Sequence, residues 1–120
     1  MLRKRRRLSF KSMRKKTYNK LVRDNIPEII RKSGDEAKTR VLRVGEYKKA
    51  LLDKLAEEVA EVGKAKDKTE LINELADVQE VMTAIYDAYG IKCDDVTTSA
   101  LEKRNKMGGF KKKIFLISTK

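Results

Sequence analysis

The stretch from Glu46 to Tyr89, EYKKALLDKLAEEVAEVGKAKDKTELINELADVQEVMTAIYDAY, decides the fold. Tyr47, Leu51, Leu52, Leu55, Val59 and Val62 recur at the three- and four-residue spacing of one helical face. That periodicity predicts a long amphipathic helix from Glu46 to about Lys66. A second stripe, Leu71, Ile72, Leu75, Val78, Met82, Ile85, Tyr86 and Tyr89, runs up to Gly90. Between the two, Asp67-Lys68-Thr69-Glu70 sets a capping acid three residues before a glutamate, a helix-start pattern. So short a connection makes the two helices antiparallel neighbours.

Working outward, Asp94 or Asp95 opens a third helix that runs to Met107 and is stopped by Gly108-Gly109. Upstream, Asp24 or Asn25 precedes a short helix, Ile26-Pro27-Glu28-Ile29-Ile30-Arg31-Lys32, with the only proline in its first turn and Gly34 as its stop. Thr39-Arg40-Val41-Leu42-Arg43-Val44 alternates apolar or β-branched with polar residues and ends at Gly45, and Lys113-Ile114-Phe115-Leu116-Ile117 also reads as a strand. The two are expected to pair. The fold class is therefore mainly α, an antiparallel helix bundle with a minor two-stranded β-ribbon.

Charge divides the chain in two. Of 30 basic residues among 120, nine fall in residues 1–16 (Arg3, Lys4, Arg5, Arg6, Arg7, Lys11, Arg14, Lys15, Lys16), which contain no acid. The remaining 21 bases face all 18 acids, so +9 of the formal +12 lies on an arm and +3 on residues 17–120. A body so close to neutral does not resemble a nucleic-acid-binding domain, whose basic residues spread over a folded face. The arm, 1–16, is expected to be disordered and is the one place for a nucleic-acid contact; residues 17–120 are expected to form a single domain. Met13 offers an alternative start. One cysteine, Cys93, precludes an intrachain disulfide, and no apolar run reaches the roughly 20 residues of a membrane span, so a cytoplasmic protein is expected. With no histidine, any catalysis must use carboxylates, lysines, hydroxyls or a metal.

The carboxylates carry the functional argument. Glu58 and Glu61 on the first long helix, and Glu74 and Asp77 on the second, are pairs at i, i+3 that share a helix face. At about 100° per residue, Glu58 lies roughly 65° and Glu61 roughly 125° from the centre of the first apolar stripe; Glu74 and Asp77 lie roughly 70° and 130° from the second, in the same sense. Two antiparallel helices packed stripe to stripe are related by a two-fold axis, which keeps a same-handed flank on the same side. The four carboxylates are thus expected along one edge of the hairpin, where they repel unless cations neutralise them or their pKa values rise. Hard oxygen ligands without histidine or cysteine suit Mg²⁺ or Mn²⁺. The competing reading is a solvated or lysine-paired flank, which fits Glu57, Glu70 and Glu80.

Glu58-x-x-Glu61 followed by Glu74-x-x-Asp77 resembles the ExxE…ExxD signature of the all-α nucleoside triphosphate pyrophosphatase superfamily, which includes MazG, dimeric dUTPases and phosphoribosyl-ATP pyrophosphohydrolases. The opening from Tyr18 to Ile30, YNKLVRDNIPEII, and the ending Gly108-Gly109-Phe110 before Lys113-Ile114-Phe115-Leu116 resemble its MazG-like, house-cleaning branch. The resemblance implies that Glu58, Glu61, Glu74 and Asp77 hold Mg²⁺. It implies that water attacks the α-phosphorus of a non-canonical or surplus nucleoside triphosphate, leaving a monophosphate and pyrophosphate, and that the chain forms a homodimer or higher homo-oligomer. Lys20 and Arg23, and Lys103 and Arg104 on the third helix, are the candidate phosphate contacts, against surface or structural ion pairs. Met107 stands where the family pattern leads one to expect a basic residue. An alternative substrate is phosphoribosyl-ATP. A reading from a different class is a non-catalytic helical dimer that binds nucleic acid or an acidic partner through the arm.

Overall fold

A computed structural model describes residues 16–120. The expectations placed on residues 1–15, disorder and nucleic-acid contact, fall outside the described residues. The elements are α1 (Ile26–Lys32), α2 (Val44–Val62), α3 (Lys68–Tyr89) and α4 (Cys93–Met107). The α2–α3 pair forms the only extensive helix-to-helix contact among the described residues.

Local chemistry explains the boundaries. Asp67 caps α3 by accepting a hydrogen bond from the Glu70 N–H at 2.8 Å, while Glu70 reaches back to accept from the Lys66 N–H at 3.1 Å. The first orphan donors of α3 are thereby satisfied from both directions. Its end falls at Gly90, whose φ of +66° is a left-handed conformation that a side chain would strain, and the Ile91 N–H closes on the Tyr86 carbonyl. Pro27 sits in the first turn of α1, although Asn25 makes no side-chain cap. Helix α2 begins two residues earlier than its periodicity predicts: the Arg43 N–H donates to Glu46, whose carboxylate also takes both guanidinium nitrogens of Arg40, at 3.2 and 3.0 Å.

The predicted β-ribbon is absent among the described residues. Val44 belongs to α2, and residues 35–43 before it form no regular secondary structure, with Val41 95% exposed. Around Phe110 the chain instead turns, the Lys113 N–H donating to the Phe110 carbonyl, and Lys113 takes a φ of +58° that breaks any strand at its first residue. Alternation without a partner edge does not hold a strand.

The packing of the hairpin also departs from the stripe-to-stripe arrangement. The buried positions on α2 are Leu51, Lys54 and Glu58, and on α3 they are Glu74 and Val81. Each trio or pair is spaced at three, four or seven residues and so occupies one helix face. Both helices have turned the same-handed flank toward each other, so the acids expected on an edge lie inside. Part of each apolar stripe is left outward: Leu52, Val59, Leu71, Ile72, Leu75 and Met82 remain between 36 and 57% exposed. The radius of gyration, 18.5 Å, exceeds the roughly 13 Å of a compact domain this long.

Candidate metal centre

Glu58 is wholly buried and Glu74 is 1% exposed; they face each other across α2 and α3, with half-buried Asp77 one turn beyond Glu74. One carboxylate oxygen from each of Glu58, Glu74 and Asp77 lies within 4.8 Å of the others. Three of the four acids singled out in the sequence are therefore brought to one point. Glu61 is on the same side of α2 but half-buried, with Lys64 at 3.6 Å, and stands outside that group.

The segment before α1 reaches the same place. Lys20 Nζ is 3.3 Å from Glu57 Oε1 on α2, and Arg23 donates to Asp77 Oδ1 on α3 at 2.8 Å. Two cations three residues apart thus span both arms of the hairpin. Lys103 and Arg104 do not join them: they are exposed on α4, which has no extensive contact with the hairpin. Lys103 instead lines a shallow concavity of about 390 Å³ with Asp95, Val96, Ser99 and Ala100 of its own helix.

Lys54 was missed by motif reading. It is 6% exposed, and its ammonium lies 3.2 Å from Glu57 Oε1 and 3.3 Å from Glu58 Oε2. The available signal was its position, three residues after Leu51 and four before Glu58, which puts a charge on the inner face. Glu57 is half-buried and paired with lysines, the second of the two environments its sequence suggested. Burial pushes its carboxyl upward, but the ammonium groups of Lys54 and Lys20 outweigh that and hold it below the usual range.

Whether these residues fit a divalent cation turns on Glu58. Neither of its oxygens accepts a hydrogen bond among the described residues, although both are inaccessible to solvent. A buried carboxylate ordinarily takes two or three donors, and leaving it without them is costly. The ion pair with Lys54 balances its charge without filling its lone pairs. Converging carboxylates, with Glu58 short of hydrogen-bond donors and no softer ligand beside them, suit a hard divalent ion such as Mg²⁺. The donor set and its burial therefore fit such an ion, with Glu58, Glu74 and Asp77 as direct ligands in reach.

No described helix is long and apolar enough to cross a membrane. No curated protein and no solved structure gave a significant match. The family model for phosphoribosyl-ATP pyrophosphohydrolase does match, over residues 16–105, which include α1, α2, α3, the acids, Lys20 and Arg23. Three quarters of the sequence is covered, including the helical hairpin with its four acids: the chain belongs to the phosphoribosyl-ATP pyrophosphohydrolase family, enzymes that hydrolyse a phosphoric anhydride.

Proposed function

We propose that this protein is a Mg²⁺-dependent nucleotide pyrophosphohydrolase that cleaves the α–β bond of non-canonical or surplus nucleoside triphosphates, releasing pyrophosphate and a monophosphate. The observation that carries this reading is Glu58, a buried carboxylate whose oxygens accept no hydrogen bond among the described residues and which clusters with Glu74 and Asp77. A divalent ion supplies neutralisation of the phosphates and acidification of the attacking water. Glu58, Glu74 and Asp77 hold that ion, with Glu61 as the fourth acid at the mouth. Lys20 and Arg23 leave their present carboxylate partners to meet phosphate oxygens, a geometry for which arginine's planar fork is well suited. Lys103 and Arg104 are the weaker candidates, since α4 lies apart. Family membership favours phosphoribosyl-ATP as a second reading of the substrate, with the same bond and the same acids.

The experiment is a panel of nucleoside triphosphates and phosphoribosyl-ATP with Mg²⁺, reading pyrophosphate against orthophosphate as first product. Pyrophosphate is expected, with turnover lost in EDTA. Orthophosphate appearing first, or full activity in EDTA, would sink the assignment, and competition between the substrates ranks them.

The outward apolar residues support a homodimer as the working unit. Leu52, Leu55, Val59 and Val62 on α2, and Leu71, Leu75, Val78 and Met82 on α3, alternate at four and three residues, the spacing of a helix-packing seam. Joined by a two-fold axis, two such hairpins make a four-helix bundle. Val59, 54% exposed in one chain, would then be covered. Val59→Lys is expected to convert dimer to monomer in sedimentation at micromolar concentration while preserving helical circular dichroism. A wild-type protein sedimenting as a monomer would remove the proposal. The free, exposed thiol of Cys93 suits the reducing cytoplasm, which we take as the compartment.

A further inference from the structure

The one buried basic residue among those described, Lys54, has no place in the reaction just described, and its surroundings give it one. Lys54 is held on the inner face of α2 with its side chain 7% exposed, one helical turn before Glu58. Its Nζ is 3.3 Å from Glu58 Oε2 and 3.2 Å from Glu57 Oε1, and Glu57 Oε1 is shared with Lys20. Burying a lysine costs free energy unless its charge is matched nearby, and the same is true of Glu58. Here the two are buried together, beside a cluster whose oxygens approach within 4.8 Å. The lysine is too tightly enclosed to be a solvated flank, and it adds positive charge next to a place that suits a cation.

We propose that Lys54 is an internal counter-cation: its ammonium neutralises Glu58 when no metal is bound, keeping the hairpin folded, and it holds down the affinity of the site for a free divalent ion. It is a positioning residue, acting through Glu58 and not on substrate. The inference rests on the divalent-cation reading above. Its logic is Coulombic. A fixed unit charge a few ångströms from a dication is repulsive at any realistic effective dielectric, so replacing it by a neutral chain of similar length makes metal binding more favourable. The same replacement leaves Glu58 as an unmatched buried charge, so the metal-free protein loses stability that an external ion restores.

The test is titration of Mn²⁺ into the full chain by calorimetry, with thermal unfolding in EDTA and in saturating Mn²⁺, for wild type, Lys54→Met and Lys54→Arg. Lys54→Met is expected to bind Mn²⁺ about tenfold tighter or more. Its Tm should be lower than that of wild type in EDTA, and its Mn²⁺-induced rise larger. Lys54→Arg keeps the charge and should stay within about threefold of wild type in Mn²⁺ affinity. A Lys54→Met whose Tm falls equally in both conditions, with unchanged or weaker Mn²⁺ binding, would overturn the proposal, because packing alone explains that. If Lys54→Met does not fold in EDTA, the double variant Lys54→Met/Glu58→Gln decides. Recovery of a cooperative transition in EDTA supports the counter-cation role, and failure to recover rejects it. A wild type that binds no Mn²⁺ refutes the metal reading itself, while the comparison of single and double variants in EDTA still judges Lys54.

Discussion

Asp77→Asn is expected to lower pyrophosphate release by at least about a thousandfold, a loss of about 4 kcal/mol of transition-state stabilisation, with the fold intact. The side chain is a near isostere, and Asp77 is half-buried at the mouth of the centre, so no cavity opens. Arg23, now 2.8 Å from Asp77 Oδ1, can keep a hydrogen bond to the amide oxygen. The variant loses one of three negative oxygens that lie within 4.8 Å of one another. An amide oxygen is a poorer ligand for a hard dication than a carboxylate, and the charge that offsets the dication falls by one. Initial rates of pyrophosphate release at saturating substrate and excess Mg²⁺, beside far-ultraviolet circular dichroism, measure both halves. A variant retaining a tenth of wild-type activity would remove Asp77 from the metal shell and leave it as the anchor of Arg23.

The largest effect on stability is expected from Leu51→Ala. Leu51 is 2% exposed at the centre of α2, on the face that meets α3, and only Ile26 and Val81 are comparably buried apolar residues among those described. Truncating a core leucine ordinarily costs about 3 kcal/mol, from lost transfer energy and the cavity left behind. With so few apolar residues inside, that is a large fraction of what holds the hairpin, and Tm is expected to fall by on the order of 10 °C. Thermal unfolding followed at 222 nm checks this. A fall of only a degree or two would show that the inner face is not the one that stabilises the hairpin. The proposed dimer seam at Leu52 and Val59 would then carry the fold.

Much of this was legible in the residues themselves. Asp67 and Glu70 mark the start of α3 by their chemistry, and Gly90 marks its end because few other residues accept a left-handed backbone there. The i, i+3 acid pairs share faces because helical geometry leaves them no choice. What a helical wheel does not contain is which neighbour each face meets. The apolar stripes are wide enough for two contacts, and the periodicity of Leu55 and Val62 alone treats them as serving one. Helix α2 uses the flank with Leu51, Lys54 and Glu58 within the hairpin, and leaves Leu52 and Val59 for something else. The acids therefore appear inside where an edge was expected, and Lys54, which no motif marked, is buried with them. The ribbon failed for a related reason: alternation in residues 39–44 and 113–117 gives strand propensity, but strand formation needs an edge to pair with. Capping at Arg43 recruits Val44 into α2, and Lys113 adopts a turn conformation.

The ionisable lining of the helix interface has an evolutionary consequence. Leucine or methionine at positions 54, 58 and 74 would pack between α2 and α3 without desolvating a charge, and exchanging buried ionic groups for apolar ones of similar volume is frequently neutral or stabilising. On the proposed role of Glu58 and Glu74, a library of this gene screened only for resistance to heat would drift toward such replacements and lose hydrolytic activity on the way. If Glu58 and Glu74 hold the ion as proposed, selection for the reaction would oppose the direction in which folding stability alone would carry this charged interior.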